Sequence, residues 1–212
     1  MKPAGKRNMR CNAQRLSRPA ILHDGSRQNL SAAILIVNFN AGACLRECLS
    51  SIARQTQRPS RVIVIDNGST DGSAQGLDNV LPGVQIVSAG ANLGFAAANN
   101  LGVRMADGCD WIALVNPDAF LATDWLAQMA QAVHESPDCA AFGSRLVNAN
   151  DASMLDGTGD VYHVFGAHWR RGHGRAVSDR DDAAGEIFSP CAAAALYRRE
   201  VDYIVRNGEV II

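Results

Sequence analysis

Three short groups of polar residues, each placed directly after an apolar run, carry the side chains most able to do chemistry in this sequence. The groups are Asn38-Phe39-Asn40, Asp66-Asn67-Gly68-Ser69 and Asn116-Pro117-Asp118. Their amides, hydroxyls and carboxylates can hydrogen-bond a polar ligand, and carboxylate oxygens also suit a hard cation. In open α/β sheets the ligand crevice lies beyond the carboxyl ends of the strands. The three groups therefore predict one site, provided that the apolar runs are strands of one sheet.

The elements that must position these groups alternate along the chain. Apolar runs at 33–37, 61–65, 84–87 and 111–115, with a further one beginning at 140–143, predict strands, and the unbroken ones are typical of strands buried on both faces. Helical patterns separate them. This alternation predicts a mostly parallel sheet in a three-layer α/β fold.

The predicted helices differ in how clearly the sequence marks them. Leu45, Cys48, Leu49 and Ile52 recur at helical spacing, and residues 95–106 read as a second helix. Residues 73–80 predict a short helix, and Thr123 is placed to cap the helix that carries Trp125, Leu126, Met129 and Val133.

Four motifs give this alternation a family resemblance. In order and spacing, ILIVNFN, VIVIDNGSTDGS, NLGFAAANN and ALVNPDAFL resemble the motifs of family 2 glycosyltransferases, over roughly residues 32–199. The NPD form is similar to the branch with rhamnosyl- and galactofuranosyl-type transferases. The resemblance implies a GT-A (nucleotide-diphospho-sugar transferase) three-layer sandwich. It also implies inverting, metal-assisted transfer of a hexose such as rhamnose from a nucleoside-diphosphate sugar to an acceptor hydroxyl.

The resemblance places a donor nucleotide, dTDP- or UDP-linked, at the strand ends. Asp66 and Asn67 offer an acceptor and an amide suited to a pyrimidine edge, and Phe39 offers a flat face for the base. The 92–99 segment opens a helix, whose N-terminus favours phosphate. The expected donor-binding residues are Val37, Asn38, Phe39, Asn40, Asp66, Asn67, Ser69, Asn92, Gly94, Asn99 and Asn116. The alternative for residues 66–69 is an ordinary Asx turn that caps the next helix.

Asp118 is the expected metal ligand, because the resemblance sets it at the last carboxylate of the family's metal motif. Mg²⁺ or Mn²⁺ would bridge it to the diphosphate and stabilise the leaving group. Asn116 and Pro117 stand where the two-acid version of the motif has other polar residues. A lone carboxylate implies an affinity that depends on the substrate, and a plain turn residue is the alternative interpretation.

Residues 151–201 are interpreted as a partial acceptor-side region. Trp169 with Arg170, Arg171 and Arg175 could pack beside a glycan or a lipid-linked phosphate, and a purely structural loop fits equally well. The histidines at 163, 168 and 173 share neither a helix face nor a strand face, which disfavours a metal site.

The expected catalytic base is not found. Residues 189–201 resemble the family's GAAxLxRRE segment, but the GGFDE stretch and acidic pair that follow it in the family have no match, and 202–212 read as an atypical tail with an Asn207-Gly208 hairpin signal. Asp156 and Asp160 are substitutes only by elimination. A non-catalytic remnant that binds nucleotide sugar is therefore the alternative function.

Composition limits the remaining classes of function. Of the 212 residues, 47% are hydrophobic and 19% charged, with a net charge of −1, so a packed core is expected and nucleic acid is not an expected partner. The strand at 33–37 leads into no GxGxxG turn, which disfavours a nicotinamide oxidoreductase. Six cysteines without framework spacing predict reduced thiols in the cytoplasm. Peripheral contact with the inner membrane face stays open.

The expected division of the chain has four parts. Residues 1–30 are basic and aperiodic and predict a flexible tail, with no apolar stretch typical of a secretory signal or a membrane span. Residues 31–150 form the nucleotide-sugar-binding domain. The acceptor-side region at 151–201 and the tail at 202–212 follow it.

Overall fold

The computed structural model describes residues 9–12, 30–178 and 184–200. The strands are β1 (Met9–Asn12), β2 (Ala32–Asn38), β3 (Arg61–Asp66), β4 (Gln85–Ser88), β5 (Trp111–Val115), β6 (Ala119–Leu121), β7 (Ala141–Gly143), β8 (Arg145–Asn148), β9 (Leu155–Gly157), β10 (Asp160–Tyr162), β11 (His168–Arg170) and β12 (Ala194–Arg198). The helices are α1 (Ala43–Ala53), α2 (Phe95–Met105) and α3 (Trp125–Glu135), with a 3-10 turn at Leu77–Asn79.

A six-stranded sheet with the order β4-β3-β2-β5-β12-β7 forms the centre of the fold. Strands β4, β3, β2 and β5 run parallel, whereas β12 runs antiparallel to both of its neighbours. The register pairs Asn38 with Asp66 and Leu35 with Leu114. The carboxyl ends of β3, β2 and β5 therefore lie side by side at one edge of the sheet.

Apolar side chains on both faces of the sheet explain why helices cover it on two sides. Ile34 belongs to a core cluster with Leu45 of α1 and Trp125 of α3. Leu35, the next residue along β2, belongs to a second cluster with Ala98 of α2. Successive strand residues point to opposite faces, so each cluster is one layer of packing. The predicted three-layer α/β sandwich with a mostly parallel sheet is confirmed.

Both ends of the chain bear on the predicted division. Met9–Asn12 pairs with β6 on one side and β8 on the other, in a four-stranded sheet of order β6-β1-β8-β9. The backbone groups of these four residues are paired in this sheet, and the predicted four-part division of the chain stays a prediction. The rest of 1–29 and the whole of 202–212, including the hairpin signal at Asn207-Gly208, lie outside the described residues.

Two local predictions are wrong. Residues 73–80 do not form an α-helix, because Gly76 adopts a left-handed backbone with φ 60° and ψ 34° and only a 3-10 turn follows it. Thr123 does not cap α3: Asp124 precedes the helix without a side-chain capping bond, and the Thr123 carbonyl accepts a hydrogen bond from Thr56 N at 2.8 Å. The helix predicted at 95–106 ends one residue early, at Met105.

Two further observations concern the environment of the chain. In the part of the chain that the structure describes, no helix is long and apolar enough to cross a bilayer. The cysteines with described side chains, at 44, 48, 109, 139 and 191, are free thiols.

Candidate functional site

The edge formed by the ends of β3, β2 and β5 is organised around Asn38, which is completely buried. Its amide nitrogen lies 2.9 Å from Ser69 Oγ, 2.9 Å from Ser73 Oγ and 3.1 Å from Asp66 Oδ1. An amide has two hydrogens for these three acceptors. Its oxygen, Oδ1, is buried and accepts no hydrogen bond within the described residues. Asn38 therefore ties the end of β2 to the loop after β3.

The loop after β2 is bonded to the same neighbouring loop. Asn40 has a left-handed backbone with φ 52°, its N–H donates to Ser69 Oγ at 3.1 Å, and Thr70 N donates to Asn40 Oδ1 at 2.8 Å. Gly42 N donates to Asp71 Oδ2 at 2.9 Å. The hydroxyl and the N–H of Ser73 lower the pKa of Asp71. The two loops thus form one hydrogen-bonded unit.

Asn67 and Asn92 join the loop after β3 to the loop after β4. Asn67 Nδ2 donates to Asn92 Oδ1 at 2.9 Å, and Asn67 Oδ1 accepts from Leu93 N at 2.8 Å. Asn92 Oδ1 also accepts from Gly94 N at 2.9 Å, directly before α2 begins. Both groups of the Asn67 amide are therefore engaged inside the protein, so this residue ties the loop after β3 to the loop after β4.

Exposed apolar side chains border these polar loops. Phe39 is 49% exposed, and Leu93 and Phe95 are exposed to a similar degree. Phe39 follows Asn38 directly, and Phe95 is the first residue of α2. An aromatic face with this exposure, next to hydrogen-bonding groups, is suited to stacking on a planar heterocycle.

Asp118 lies in the turn between β5 and β6 and is half-buried. The turn is held by Asn116 N, which donates to the Ala193 carbonyl at 2.9 Å, and by Ala119 N, which donates to the Asn116 carbonyl at 3.0 Å. Helix α1 lies close by, because Cys48 Sγ is 3.7 Å from the Asn116 carbonyl. Burial, and then the negative charge of Asp118, raise the pKa of the Cys48 thiol.

Asp118 offers a divalent cation only part of the ligand set that such an ion needs. Nowhere in the described ranges do three or more His, Cys, Asp or Glu side chains form a group that could hold a metal ion. The residues present therefore do not fit a cation held by protein alone. One carboxylate fits Mg²⁺ or Mn²⁺ that takes its other oxygen ligands from a diphosphate and water.

The side chains of two further predicted residues, Val37 and Asn99, are buried. Val37 is nearly buried in the core cluster that includes Leu35, and Asn99 is buried with its amide donating to the Phe95 carbonyl at 3.0 Å. Neither side chain has a described contact with the polar loops. Thr70, Asp71 and Ser73, which the prediction omitted, do contact them, and their place within the GSTDGS stretch was the available signal.

The acceptor-side residues form a separate cluster. Buried Asp156 makes an ion pair with Arg170, and its carbonyl lies 2.8 Å from His173 Nδ1. Asp160 accepts a hydrogen bond from Ser189 Oγ at 3.3 Å. Both carboxylates considered as substitutes for the base are thus engaged within the protein.

The parallel sheet, its helix layers and the polar loops at one edge are those of a GT-A-type glycosyltransferase domain, and the family comparison agrees. A model of glycosyl transferase family 2 matches residues 33–204, and the chain belongs to this family. A solved mannosyltransferase from Pyrobaculum calidifontis, in complex with GDP-Man and Mn²⁺, is similar in fold, with a TM-score of 0.50. That match has 23% identity and covers 60% of this chain and 39% of the other.

Curated relatives share sequence over part of their length. The chain is 30% identical over 156 residues to the N-acetylglucosaminyl-diphospho-decaprenol L-rhamnosyltransferase of Mycobacterium tuberculosis, a match covering 65% of this chain and 50% of that protein. It is 27% identical over 115 residues to glycosyltransferase GlyG of Streptococcus pneumoniae, covering 53% and 38%. The chain spans about half the length of the first of these relatives and a smaller share of the length of the second.

Proposed function

We propose that this chain binds a nucleoside-diphosphate sugar at the edge formed by β3, β2 and β5 and transfers its hexose to an acceptor hydroxyl with inversion. The observation that supports this most directly is the hydrogen-bonded unit of Asn38, Asp66 and Ser69 at the strand ends of a family 2 chain. Its bonds hold the loops in place before any ligand arrives, which lowers the ordering cost of binding.

In the proposed complex the pyrimidine base stacks on the ring of Phe39 and donates a hydrogen bond to Asp66. Asp66 Oδ1 accepts from Asn38 Nδ2 and, more distantly, from Ser69 N, whereas no hydrogen bond to Asp66 Oδ2 is found among the described residues. Asp66 Oδ2 can therefore accept an N–H from uracil or thymine. Asn67, held by Asn92 and Leu93, has the supporting role of shaping the loop.

The diphosphate is proposed to lie near Asp118. A bound Mg²⁺ or Mn²⁺ would supply positive charge that stabilises the departing diphosphate. Asp118 would provide its carboxylate to that ion, and the backbone bonds of Asn116 and Ala119 would fix the direction of the turn. The start of α2, at Phe95, would favour the phosphates through its free N–H groups.

The sugar, acceptor and location are proposed from the relatives. The mycobacterial relative is, by its name, an L-rhamnosyltransferase for N-acetylglucosaminyl-diphospho-decaprenol. Rhamnose from a dTDP-linked donor and a glycan or lipid-linked acceptor follow for this chain as proposals, with a UDP-linked donor as the alternative to examine. The proposed location is the cytoplasm, at the inner face of the membrane, and the proposed role is in cell-wall or surface polysaccharide synthesis.

A second candidate function is donor binding without turnover. An inverting transfer needs a base for the acceptor hydroxyl. Asp156 is ion-paired with Arg170 and Asp160 accepts a bond from Ser189, which favours this candidate for the residues that the structure describes. Transfer or donor hydrolysis by the 212-residue chain, measured by release of nucleoside diphosphate, would exclude it.

The replacement Asp118→Ala tests the site. We expect it to weaken nucleoside-diphosphate binding in the presence of Mn²⁺ by at least about tenfold, because the charge-assisted ligand is lost. Titration calorimetry of UDP and dTDP, with and without Mn²⁺, measures this. The matched control is Asp124→Ala, which removes the same charge six residues away, where the carboxylate accepts a bond from Gln128 at 3.3 Å.

The two variants give opposite expectations. Asp124→Ala should bind nucleotide as the parent does, and Asp118→Ala should lose the difference between Mn²⁺ and metal-free titrations. Unchanged Mn²⁺-dependent binding in Asp118→Ala would contradict the proposed metal site. Equal losses in both variants would mean that general charge, and not ligation, governs the affinity.

A further inference from the structure

The β10–β11 hairpin presents an apolar surface that the proposed donor site does not use. Its turn exposes Val164 by 87% and Phe165 by 88%. Tyr162 and Trp169 on the two strands are each 50% exposed, and Phe188 stacks on Tyr162 with ring centroids 5.1 Å apart. These five side chains are called the hairpin surface below. Large apolar groups clustered at this exposure mark interaction sites.

The base of the hairpin is fixed to the rest of the protein. Arg170 of β11 forms an ion pair with buried Asp156, and Arg171 donates to Thr158 Oγ1 and to the Thr158 carbonyl, each at 3.0 Å. Gly157 packs so closely on the Arg170 side chain that a Cβ would overlap it. The end of the hairpin opposite the turn with Val164 is therefore bonded to the 156–158 segment.

The hairpin surface extends over both faces of the hairpin. Tyr162 is paired with His168 and therefore shares its face, whereas Trp169 is paired with Val161 on the opposite face. A protein partner that packs against one face of so narrow a ribbon would cover only part of the hairpin surface, because Tyr162 and Trp169 lie on opposite faces. A bilayer surrounds an inserted tip on all sides.

The residue types match the layers of a membrane interface. Val164 and Phe165 at the tip suit the acyl region, and Tyr162 and Trp169, placed behind them, suit the headgroup level where amphipathic rings collect. Between residues 156 and 175 the chain has three arginines and two carboxylates, Asp156 and Asp160. Arg170 is paired with Asp156, so the positive charge in excess is one. This local excess of positive charge complements anionic headgroups.

We propose that the hairpin surface docks this protein on an anionic lipid bilayer, with Val164 and Phe165 inserted below the headgroups. Docking at this place would hold the acceptor-side region against the membrane. It does not depend on the proposed transfer activity, because no donor residue takes part.

Vesicle flotation with phosphatidylcholine mixed with phosphatidylglycerol tests the proposal without any nucleotide. Phe165→Ser is expected to lower the partition coefficient about tenfold, because the ring no longer leaves water. The control is Ile86→Ser, which removes an exposed apolar side chain from β4 at the far edge of the central sheet. This variant should float as the parent does.

Tryptophan emission gives a second readout. Trp111 and Trp125 are buried, whereas Trp169 is half-exposed, so a blue shift on adding vesicles reports Trp169. Failure of the parent to float would overturn the proposal, as would equal losses in Phe165→Ser and Ile86→Ser. A parent dimer in sedimentation that Phe165→Ser converts to monomer, without lipid, would overturn it in favour of an interface between copies.

Discussion

Asn38→Asp is expected to lower the free energy of unfolding by about 3 kcal/mol or more near neutral pH. Asn38 is completely buried and uses its amide nitrogen as a donor to Asp66, Ser69 and Ser73. An aspartate of the same shape would put a carboxylate oxygen in the place of the amide nitrogen, facing Asp66 Oδ1 and with no hydrogen to donate to Asp66, Ser69 or Ser73. Urea unfolding followed by circular dichroism measures the loss.

The pH dependence of Asn38→Asp has a definite sign. Burial and the charge of Asp66 would raise the pKa of the new carboxyl above its unfolded value of about 3.9. The folded variant then binds its proton more tightly than the unfolded chain does. The free energy of unfolding therefore falls as pH rises from the unfolded pKa to the raised folded pKa. The deficit relative to the parent should be small near pH 4 and full near pH 7, and a deficit constant with pH would contradict this explanation.

Asn40→Asp is the matched control for this change. Asn40 uses its amide oxygen as an acceptor for Thr70 N at 2.8 Å, and an aspartate oxygen can accept the same bond. Two asparagine-to-aspartate changes two residues apart should therefore differ strongly, with Asn40→Asp close to the parent. Similar losses in both would mean that added negative charge at this edge, and not the lost donor, sets the cost.

The sequence predicts the placement of the site better than its internal bonding. Unbroken apolar runs before Asn38, Asp66 and Asn116 mark strands, and their common edge follows from the order of a parallel sheet. The contact of Ser73 with Asn38 spans 35 residues and depends on how two loops meet. Spacing along the chain carries no information about such a bond.

Two further features of the fold do not follow from the sequence pattern. The helix predicted at 73–80 does not form because Gly76 adopts a left-handed backbone. Glycine populates both signs of φ, so the sequence alone does not show which one is adopted. Strand β12 lies between β5 and β7 although about 50 residues or more separate it from either in sequence, so its antiparallel insertion is a non-local event. Such pairings are not visible in periodicity.

The candidate site is assembled mainly by asparagine amides. Asn38 joins β2 to the loop after β3, and Asn40, two residues later, makes a second bond to the same loop. Asn67 and Asn92 link the loops after β3 and β4. Each amide offers both donors and acceptors, so one side chain can bridge two loops. The loops that are proposed to contact a donor are thus positioned mainly by neutral amides, to which Asp66 contributes Oδ1 as an acceptor.

Gly68→Ala is expected to lower the free energy of unfolding by about 3 kcal/mol and to abolish measurable nucleotide binding. Gly68 has a positive φ of 80°, and a Cβ there would lie 2.9 Å from the Ala91 carbonyl carbon and 3.0 Å from Asn92 N. These are backbone atoms, so the strand-end loops must separate to relieve the overlap. Separation would break the bond between Asn67 and Asn92, which is 2.9 Å long.

Gly108→Ala separates the two causes of that loss. Gly108 has the same φ of 80°, but no atom lies within 4 Å of the position that an added methyl group would take, so alanine there meets only the cost of a left-handed backbone, about 1 kcal/mol. The loss in the free energy of unfolding for Gly108→Ala is subtracted from that for Gly68→Ala. The difference is the cost of the overlap between the added methyl group and the backbone of residues 91–92. Equal losses, or nucleotide binding retained in Gly68→Ala, would show that the loop contact does not shape the donor site.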